Sequence, residues 1–130
     1  MSGKYGFGRT VALDFDEALT KVTAELKKEG FGVLTDIDVA ATLKKKLDHD
    51  IPPYRILGAC NPAYAKRAIA ADPGIGLLLP CNVVVRQDPT GAVRVEFLDP
   101  GMMGRMTDNP AVGAIGNEVR EKLQKVMRAL

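Results

Sequence analysis

Two Cys-Asn dipeptides are the residues of this sequence whose types and setting best suit chemistry. Cys60 and Asn61 follow Leu-Gly-Ala and precede a proline, and Cys81 and Asn82 follow Leu-Pro and precede three valines. A cysteine thiolate is a nucleophile, a redox centre and a ligand for soft metals. Because Cys60 stands at the end of a predicted strand and just before a predicted helix, the free amides and the dipole of that helix would favour a thiolate there.

Three functional interpretations of these dipeptides are open: a redox dithiol, a soft-metal site, and a polar pocket edge built from Asn61 and Asn82. The cysteines lack the Cys-x-x-Cys spacing of the familiar redox pair. With two cysteines and one histidine the chain offers few metal ligands, and we expect that histidine, His49, in an exposed loop at a helix end. The structural alternative is that both thiols simply pack in the core, as free cysteines commonly do.

A segment rich in glycine and methionine, residues 101–106, is the second candidate for function. Flexible thioethers beside glycines form adaptable lids and subunit contacts, and the same side chains also fill gaps in cores. Arg105 lies in this segment, close to a predicted helix start at Asn109-Pro110, where it could help to hold an anion.

The remaining motifs predict structure rather than chemistry. Gly6-Phe7-Gly8 and Gly74-Ile75-Gly76 resemble fragments of phosphate loops, but neither opens a helix after a strand, so we interpret them as turn or bulge glycines. No Ser-His-Asp set, carboxylate pair or nucleotide motif is present. We therefore assign no catalytic residue, no metal ligand and no cofactor, and we favour a binding protein over an enzyme.

The elements that position these residues alternate between strand and helix. Periodicity and turn residues predict strands over residues 4–12, 31–35, 54–59, 77–85 and 92–98. Helices are predicted to begin at Asp14, at Asp36 or Asp38, at Asn61 and at Asn109, with Glu17 completing a capping box and Gly30 ending the first helix.

The order β-α-β-α-β-α-β-β-α predicts the α/β class, with α+β character at the final hairpin. We expect one layered domain over residues 1–130, with a mixed sheet of about five strands and helices packed on it. Early strands should pair largely in parallel and the hairpin antiparallel. Because residues 77–85 are almost continuously apolar, we expect that strand to be covered on both faces.

Composition limits the classes of partner. With 130 residues, 46% hydrophobic and 26% charged, the chain has the balance of an ordinary soluble globular protein. A formal net charge of +2, with the basic residues scattered, gives no surface for nucleic acid or for an anionic membrane. The first residues lack the apolar run of a secretion signal, and no apolar stretch is long enough to span a bilayer, so we expect a cytoplasmic protein with reduced cysteines.

The two cysteine segments, together with Gly-Phe-Gly-Val-Leu-Thr upstream (30–35), resemble the domain-of-unknown-function family 302. The resemblance covers nearly the whole chain. It implies a compact bacterial or archaeal α/β domain that forms a homodimer, and it implies no activity. It also implies a site region at the residues that match the motifs, which are Cys60, Asn61, Pro62, Pro80 and Cys81.

Two functions follow from the sequence. The first is a homodimeric binding or interaction domain with a small-ligand pocket formed by Cys60, Asn61, Cys81, Asn82 and Arg105. The second is a thiol-dependent redox or soft-metal-binding protein that uses Cys60 and Cys81.

Overall fold

The computed structural model describes residues 4–130 as a five-stranded sheet with helices packed on it. The strands are β1 (Gly6–Val11), β2 (Gly32–Asp38), β3 (Tyr54–Cys60), β4 (Cys81–Gln87) and β5 (Val93–Leu98). The helices are α1 (Phe15–Lys28), α2 (Val39–Leu47), α3 (Pro62–Ala71), α4 (Met102–Met106) and α5 (Pro110–Arg128), with a 3-10 helix at Pro73–Leu78. The α/β class and the five strands are confirmed. Two short helices, α4 and the 3-10 segment, were not predicted.

All four strand pairings are antiparallel, and the spatial order is β1-β5-β4-β3-β2. The expected parallel pairing of the early strands is therefore wrong. A parallel pair needs a crossover helix that packs across the sheet and returns the chain to the end at which it started. The connection from β2 to β3 is not such a crossover. Its helix, α2, buries none of its residues, and β3 starts at the same end of the sheet at which β2 finishes, so the two strands pair antiparallel.

The hydrophobic core lies between one face of the sheet and the helices α1, α3 and α5. Alternate residues of β4 and β5 are buried there, among them Val83, Val85, Val95 and Phe97. The residues between them are only partly buried or exposed, so within residues 4–130 no helix covers the second face of the sheet. The expectation that the fourth strand is covered on both faces is thus wrong. Four of the nine residues in the apolar run at 77–85 lie before β4, in the 3-10 helix and in the cis Leu79-Pro80 segment.

Local capping signals place the helices. Asp14 accepts a hydrogen bond from the Glu17 N–H at 2.8 Å, and the Glu17 carboxylate accepts one from the Asp14 N–H at 3.2 Å, so the predicted capping box is confirmed. Asp38, not Asp36, caps α2, through a bond of 2.9 Å from the Ala41 N–H. Within residues 4–130, no helix combines the length and the apolar character needed to cross a bilayer.

Candidate functional site

The two cysteines lie at the same end of two neighbouring strands. Cys60 is the last residue of β3 and Cys81 is the first of β4. In the antiparallel register Ala59 is the partner of Cys81, so Cys60 lies one residue beyond that pair. Cys60 is half-buried, whereas Cys81 is only 5% exposed, and both thiols are free.

A third sulfur-containing residue lines the same cavity as the two cysteines. Cys60, Cys81 and Met103 all line one cavity of about 30 Å³, which we call the sulfur cavity. Met103 lies in α4 and is 3% exposed, so this methionine of the 101–106 segment fills the core, whereas Met106 is 61% exposed. The rest of the wall is almost wholly apolar: Phe31, Ala59, Asn61, Tyr64, Ala65, Ala68, Leu79, Pro80, Ile115 and Val119.

The surroundings of Cys81 suppress its reactivity. Burial, and to a smaller degree the neighbouring Cys60, raise the pKa of the Cys81 thiol to about 11. At neutral pH Cys81 is therefore a neutral thiol with little nucleophilic character. A reactive dithiol would need a change in these surroundings.

Asn61 begins α3 but does not cap it. Its side-chain Nδ2 donates to the Glu29 carbonyl oxygen at 3.3 Å, which ties the start of α3 to the end of α1. As a result the N-terminus of α3, directly after Cys60, has no side-chain cap. Asn61 therefore stands at the predicted N-cap position of α3, but its side chain makes no capping hydrogen bond to that helix.

Asn82 lies on the opposite, uncovered face of the sheet, because successive strand residues point to opposite faces. There it lines a second depression of about 270 Å³, which we call the open-face cavity. The structure therefore places Asn61 and Asn82 in different cavities rather than at one pocket edge. The open-face cavity is lined by Lys4, Tyr5, Gly6, Phe7, Tyr54, Asn82, Val84, Arg94, Glu96, Phe97 and Leu98.

Glu96 organises the charges at this cavity. Its carboxylate accepts hydrogen bonds from Arg86 Nε at 2.6 Å and from Arg94 Nε at 3.2 Å. Burial acts to raise the pKa of Glu96, but the hydrogen bond and charge of Arg86, helped by Arg94, hold it below its usual value, so Glu96 is ionised. Across residues 4–130 the terminal Nη groups of Arg86 and Arg94 donate no hydrogen bond, so these donors are available to a ligand.

Two other residues considered from the sequence lie elsewhere. Arg105 is exposed on α4 and is not among the residues that line either cavity. His49 is exposed beyond the end of α2, as expected. Over the part of the chain that the structure describes, there is no cluster of three or more His, Cys, Asp or Glu side chains that could hold a metal ion.

Sequence reasoning missed the charged residues of the open-face cavity. The signal was present in β5, where Val93, Val95 and Phe97 alternate with Arg94 and Glu96. Such alternation predicts one buried face and one uncovered face. The oppositely charged Arg94 and Glu96, which are neighbours on that uncovered face, would then have marked a candidate site.

These features define a class: an open-faced α/β domain, with an antiparallel sheet whose helices cover one face and whose other face carries a charged depression. The sequence matches the family described as "Domain of unknown function DUF302" over residues 7–130, and the chain belongs to that family. The resemblance noted at the cysteine segments is thereby confirmed. Among curated proteins no relative matches.

A crystal structure of an uncharacterized conserved DUF302 protein from Bacillus stearothermophilus is similar to this chain. The two share 29% sequence identity with a TM-score of 0.89, and the similarity covers 98% of each chain. The architecture described above is thus the architecture of that protein over nearly its full length.

Proposed function

We propose that this protein is a binding domain whose open-face cavity takes a small organic anion. The observation that carries the proposal is Arg94, whose guanidinium is held at the cavity by Glu96 through Nε, while its terminal nitrogens donate no hydrogen bond to any residue from 4 to 130. A guanidinium fixed in this way presents paired N–H groups that match a carboxylate or a phosphate.

The charge balance at the cavity also favours an anion. Glu96 is already paired with two arginines, Arg86 and Arg94, and the ammonium of Lys4 lies over the ring of Tyr5 at 5.6 Å from its centroid. The cavity wall thus holds one carboxylate, Glu96, and two cationic side chains, Arg94 and Lys4, while Arg86 pairs with Glu96 from outside the wall. A ligand that brings negative charge completes the pairing, whereas a cation would be repelled.

Size and lining indicate the kind of molecule that carries the charge. About 270 Å³ is close to the lower end of the range for small-molecule pockets, roughly 300–1,000 Å³. Tyr5, Tyr54 and Val84 offer flat or apolar contact surface beside the polar groups. The sulfur cavity, at about 30 Å³, is too small for any organic molecule. Of the pocket residues expected from the sequence, this proposal retains Asn82.

The test compares small carboxylates and phosphate monoesters with their neutral amides or alcohols, by calorimetry and by shifts in Tm. We expect the anions alone to bind the wild type. Arg94→Gln should weaken binding at least about tenfold, the effect of losing roughly 1.4 kcal/mol of charge-assisted hydrogen bonding.

The matched control is Arg67→Gln, which changes an exposed arginine that pairs with Glu118 on the helical side of the molecule. This variant should bind as the wild type does. Equal binding of neutral and charged compounds, or undiminished binding by a folded Arg94→Gln variant, would overturn the proposal.

We also propose that the protein acts as a homodimer in the cytoplasm. Support comes from the edge strand β2, where Leu34 is 67% exposed and Ile37 is 50% exposed. In a twofold dimer the two copies contact each other through the same surface, so the exposed apolar residues of β2 would be buried on both copies.

Native mass spectrometry should give a dimer for the wild type and a monomer for Leu34→Lys/Ile37→Lys. Leu47→Lys, at an exposed site on α2, is the control that should remain dimeric. A monomeric wild type at micromolar concentration would contradict the proposal.

A further inference from the structure

We infer that the ligand of the open-face cavity is a dianion, a small phosphate monoester whose phosphate group lies between the guanidinium groups of Arg94 and Arg86. This inference rests on the proposed function and narrows it, because it selects one charge state among the small organic anions. Arg86 is not in the cavity wall, but in the sheet register it lies between two wall residues, Tyr54 on β3 and Arg94 on β5. A phosphate group bound at Arg94 is therefore within reach of Arg86 at the rim of the cavity.

The two arginines are direct cross-strand neighbours. Arg86 and Arg94 are partners in the antiparallel β4–β5 register, where opposite side chains leave the same face with Cβ atoms roughly 4.5–5.5 Å apart. Like charges in such a pair destabilise a sheet. The Glu96 carboxylate compensates the pair, since its Oε1 accepts from Arg86 Nε at 2.6 Å and its Oε2 from Arg94 Nε at 3.2 Å. Because the two bonds go to the two oxygens of one carboxylate, the guanidinium groups lie side by side.

Glu96 has room for this arrangement because its cross-strand partner on β1 is Gly8. A Cβ at Gly8 would lie 2.9 Å from the Glu96 Cγ and 2.5 Å from the Val95 carbonyl oxygen, closer than real Cβ atoms come. The second glycine of Gly6-Phe7-Gly8 thus leaves space for the side chain that aligns both arginines, although the segment is not a phosphate loop.

The free donors of the two arginines match a phosphate group better than a carboxylate. Within residues 4–130 the two terminal nitrogens of Arg86 and those of Arg94 donate no hydrogen bond, so two forks are available side by side. A carboxylate has two oxygens and fills one fork. The phosphate group of a monoester has three acceptor oxygens, which is enough to accept from both forks at once.

The charge balance at the cavity also selects a dianion. Arg86, Arg94 and Lys4 bring three positive charges. Glu96 brings one negative charge, which leaves a net charge of +2. The next carboxylate along the chain from Arg86, that of Asp88, accepts hydrogen bonds from backbone amides of the turn after β4. A phosphate monoester carries a charge close to −2 above its second pKa of about 6 and so neutralises the cavity, whereas a monocarboxylate leaves one positive charge unpaired.

The test compares phenyl phosphate with phenyl sulfate by calorimetry at about pH 8, where the two compounds have nearly the same shape and differ by one unit of charge. We expect phenyl phosphate to bind the wild type at least about tenfold more tightly, the gain from a second charge-assisted contact. Arg86→Gln should remove this preference, by weakening phenyl phosphate about tenfold while phenyl sulfate stays bound at Arg94. Arg86→Lys, which keeps the charge but not the fork, should retain only part of the preference.

Arg55→Gln is the matched control. Arg55 is also a strand arginine paired with a carboxylate, that of Asp36, but it leaves the opposite face of the sheet from its neighbour Tyr54. This variant should keep the full preference for phenyl phosphate. Circular dichroism of each variant separates a lost contact from lost folding.

Lowering the pH to about 5 provides a second readout, because phenyl phosphate gains a proton and becomes a monoanion while phenyl sulfate keeps its charge. The two affinities should then converge. Any titration of the protein itself changes the affinity of both compounds, and the single histidine of the chain, His49, lies beyond α2 and not in the cavity wall.

The outcomes separate this inference from the proposed function on which it rests. Binding of neither compound would overturn both. Equal binding of the two compounds at about pH 8, or an undiminished preference in folded Arg86→Gln, would overturn the dianion and leave the anion site in place. A preference that persists unchanged at about pH 5 would likewise overturn it.

Discussion

At the scale of single residues, the chemistry of Cys81 is governed by its burial rather than by its place in the sequence. The sequence argument from a helix N-terminus concerned the other cysteine, Cys60, which precedes α3. Cys81 is instead the first residue of β4, and its side chain lies in the core, where a charged thiolate is poorly solvated. The sequence located both cysteine segments, but the depth at which each thiol lies depends on helices distant in sequence.

The raised pKa of Cys81 predicts a loss of stability at alkaline pH. The folded chain holds this thiol proton up to about pH 11, whereas the unfolded chain releases it near pH 9.0. The stabilising contribution is thus complete below pH 9.0 and is lost as the pH rises toward 11, by about 3 kcal/mol in all. Urea unfolding of the wild type and of Cys81→Ala from about pH 8 to about pH 10.5 measures it.

Comparison with Cys81→Ala is needed because lysines and tyrosines titrate in the same interval. Their contributions cancel in the difference between the two proteins. That difference should shift in favour of the variant as the pH rises. A constant difference across the whole interval would show that the thiol does not carry the effect.

At the scale of elements, α1 owes its start to the reciprocal bonds between Asp14 and Glu17. Asp14→Ala removes the acceptor for a helix-end amide and should lower the free energy of unfolding by about 1 kcal/mol. Asp16→Ala is the control, because Asp16 is an exposed first-turn carboxylate that makes no cap, and it should cost less. Equal losses in urea unfolding would mean that charge at the helix end, not the cap, is what matters.

The packing of α4 against α5 depends on small residues at the contact. A Cβ at Gly116 would lie 2.5 Å from the Pro100 carbonyl oxygen, whereas a Cβ at Gly113 would lie 3.4 Å from the Gly104 Cα. Gly116→Ala must therefore displace the segment that carries Met103, and we expect a loss of about 1–3 kcal/mol.

Gly113→Ala is the matched variant at the same contact. Its contact is close to an ordinary one, and the gain in helix propensity, up to about 1 kcal/mol, should leave stability unchanged or raised. Thermal unfolding of both variants checks the pair. A destabilisation of the same size in both would contradict the assignment of the close approach to Gly116.

The elements that could be predicted are those specified by neighbouring residues. Capping residues, helical spacing and the turn before β5 all act over a few positions, and they placed α1, α5 and the β4–β5 hairpin correctly. Strand direction is not local in this sense. It depends on whether α2 crosses the sheet, and nothing within Val39–Leu47 states where that helix will pack.

At the scale of the whole molecule, burial is uneven across the sheet. The central strands β4 and β5 contribute fully buried side chains such as Val85 and Val95, while β2 is an edge strand with most of its residues exposed. The open-face cavity draws on β1, β3, β4 and β5, so its residues are contiguous only after the sheet forms. That is why the sequence pointed to Asn82 alone within it.

This gradient predicts the order in which the molecule opens. Because α2 buries no residue and β2 is paired on one side only, residues 32–47 should exchange amide hydrogens by local opening. The amides of β4 and β5, hydrogen-bonded on both sides and covered by the core, should exchange only in global unfolding. Hydrogen exchange followed by mass spectrometry on proteolytic fragments measures the two rates.

Repeating the hydrogen-exchange experiment at several protein concentrations distinguishes protection that comes from the fold of one chain from protection that comes from dimer formation. In a monomer the protection of β2 and α2 should be independent of concentration. In a homodimer that buries Leu34 and Ile37, the protection of β2 should rise with concentration while that of α2 stays low, because Leu47 and its helix lie outside the patch. Equal protection of residues 32–47 and the central strands at every concentration would contradict the predicted order of opening.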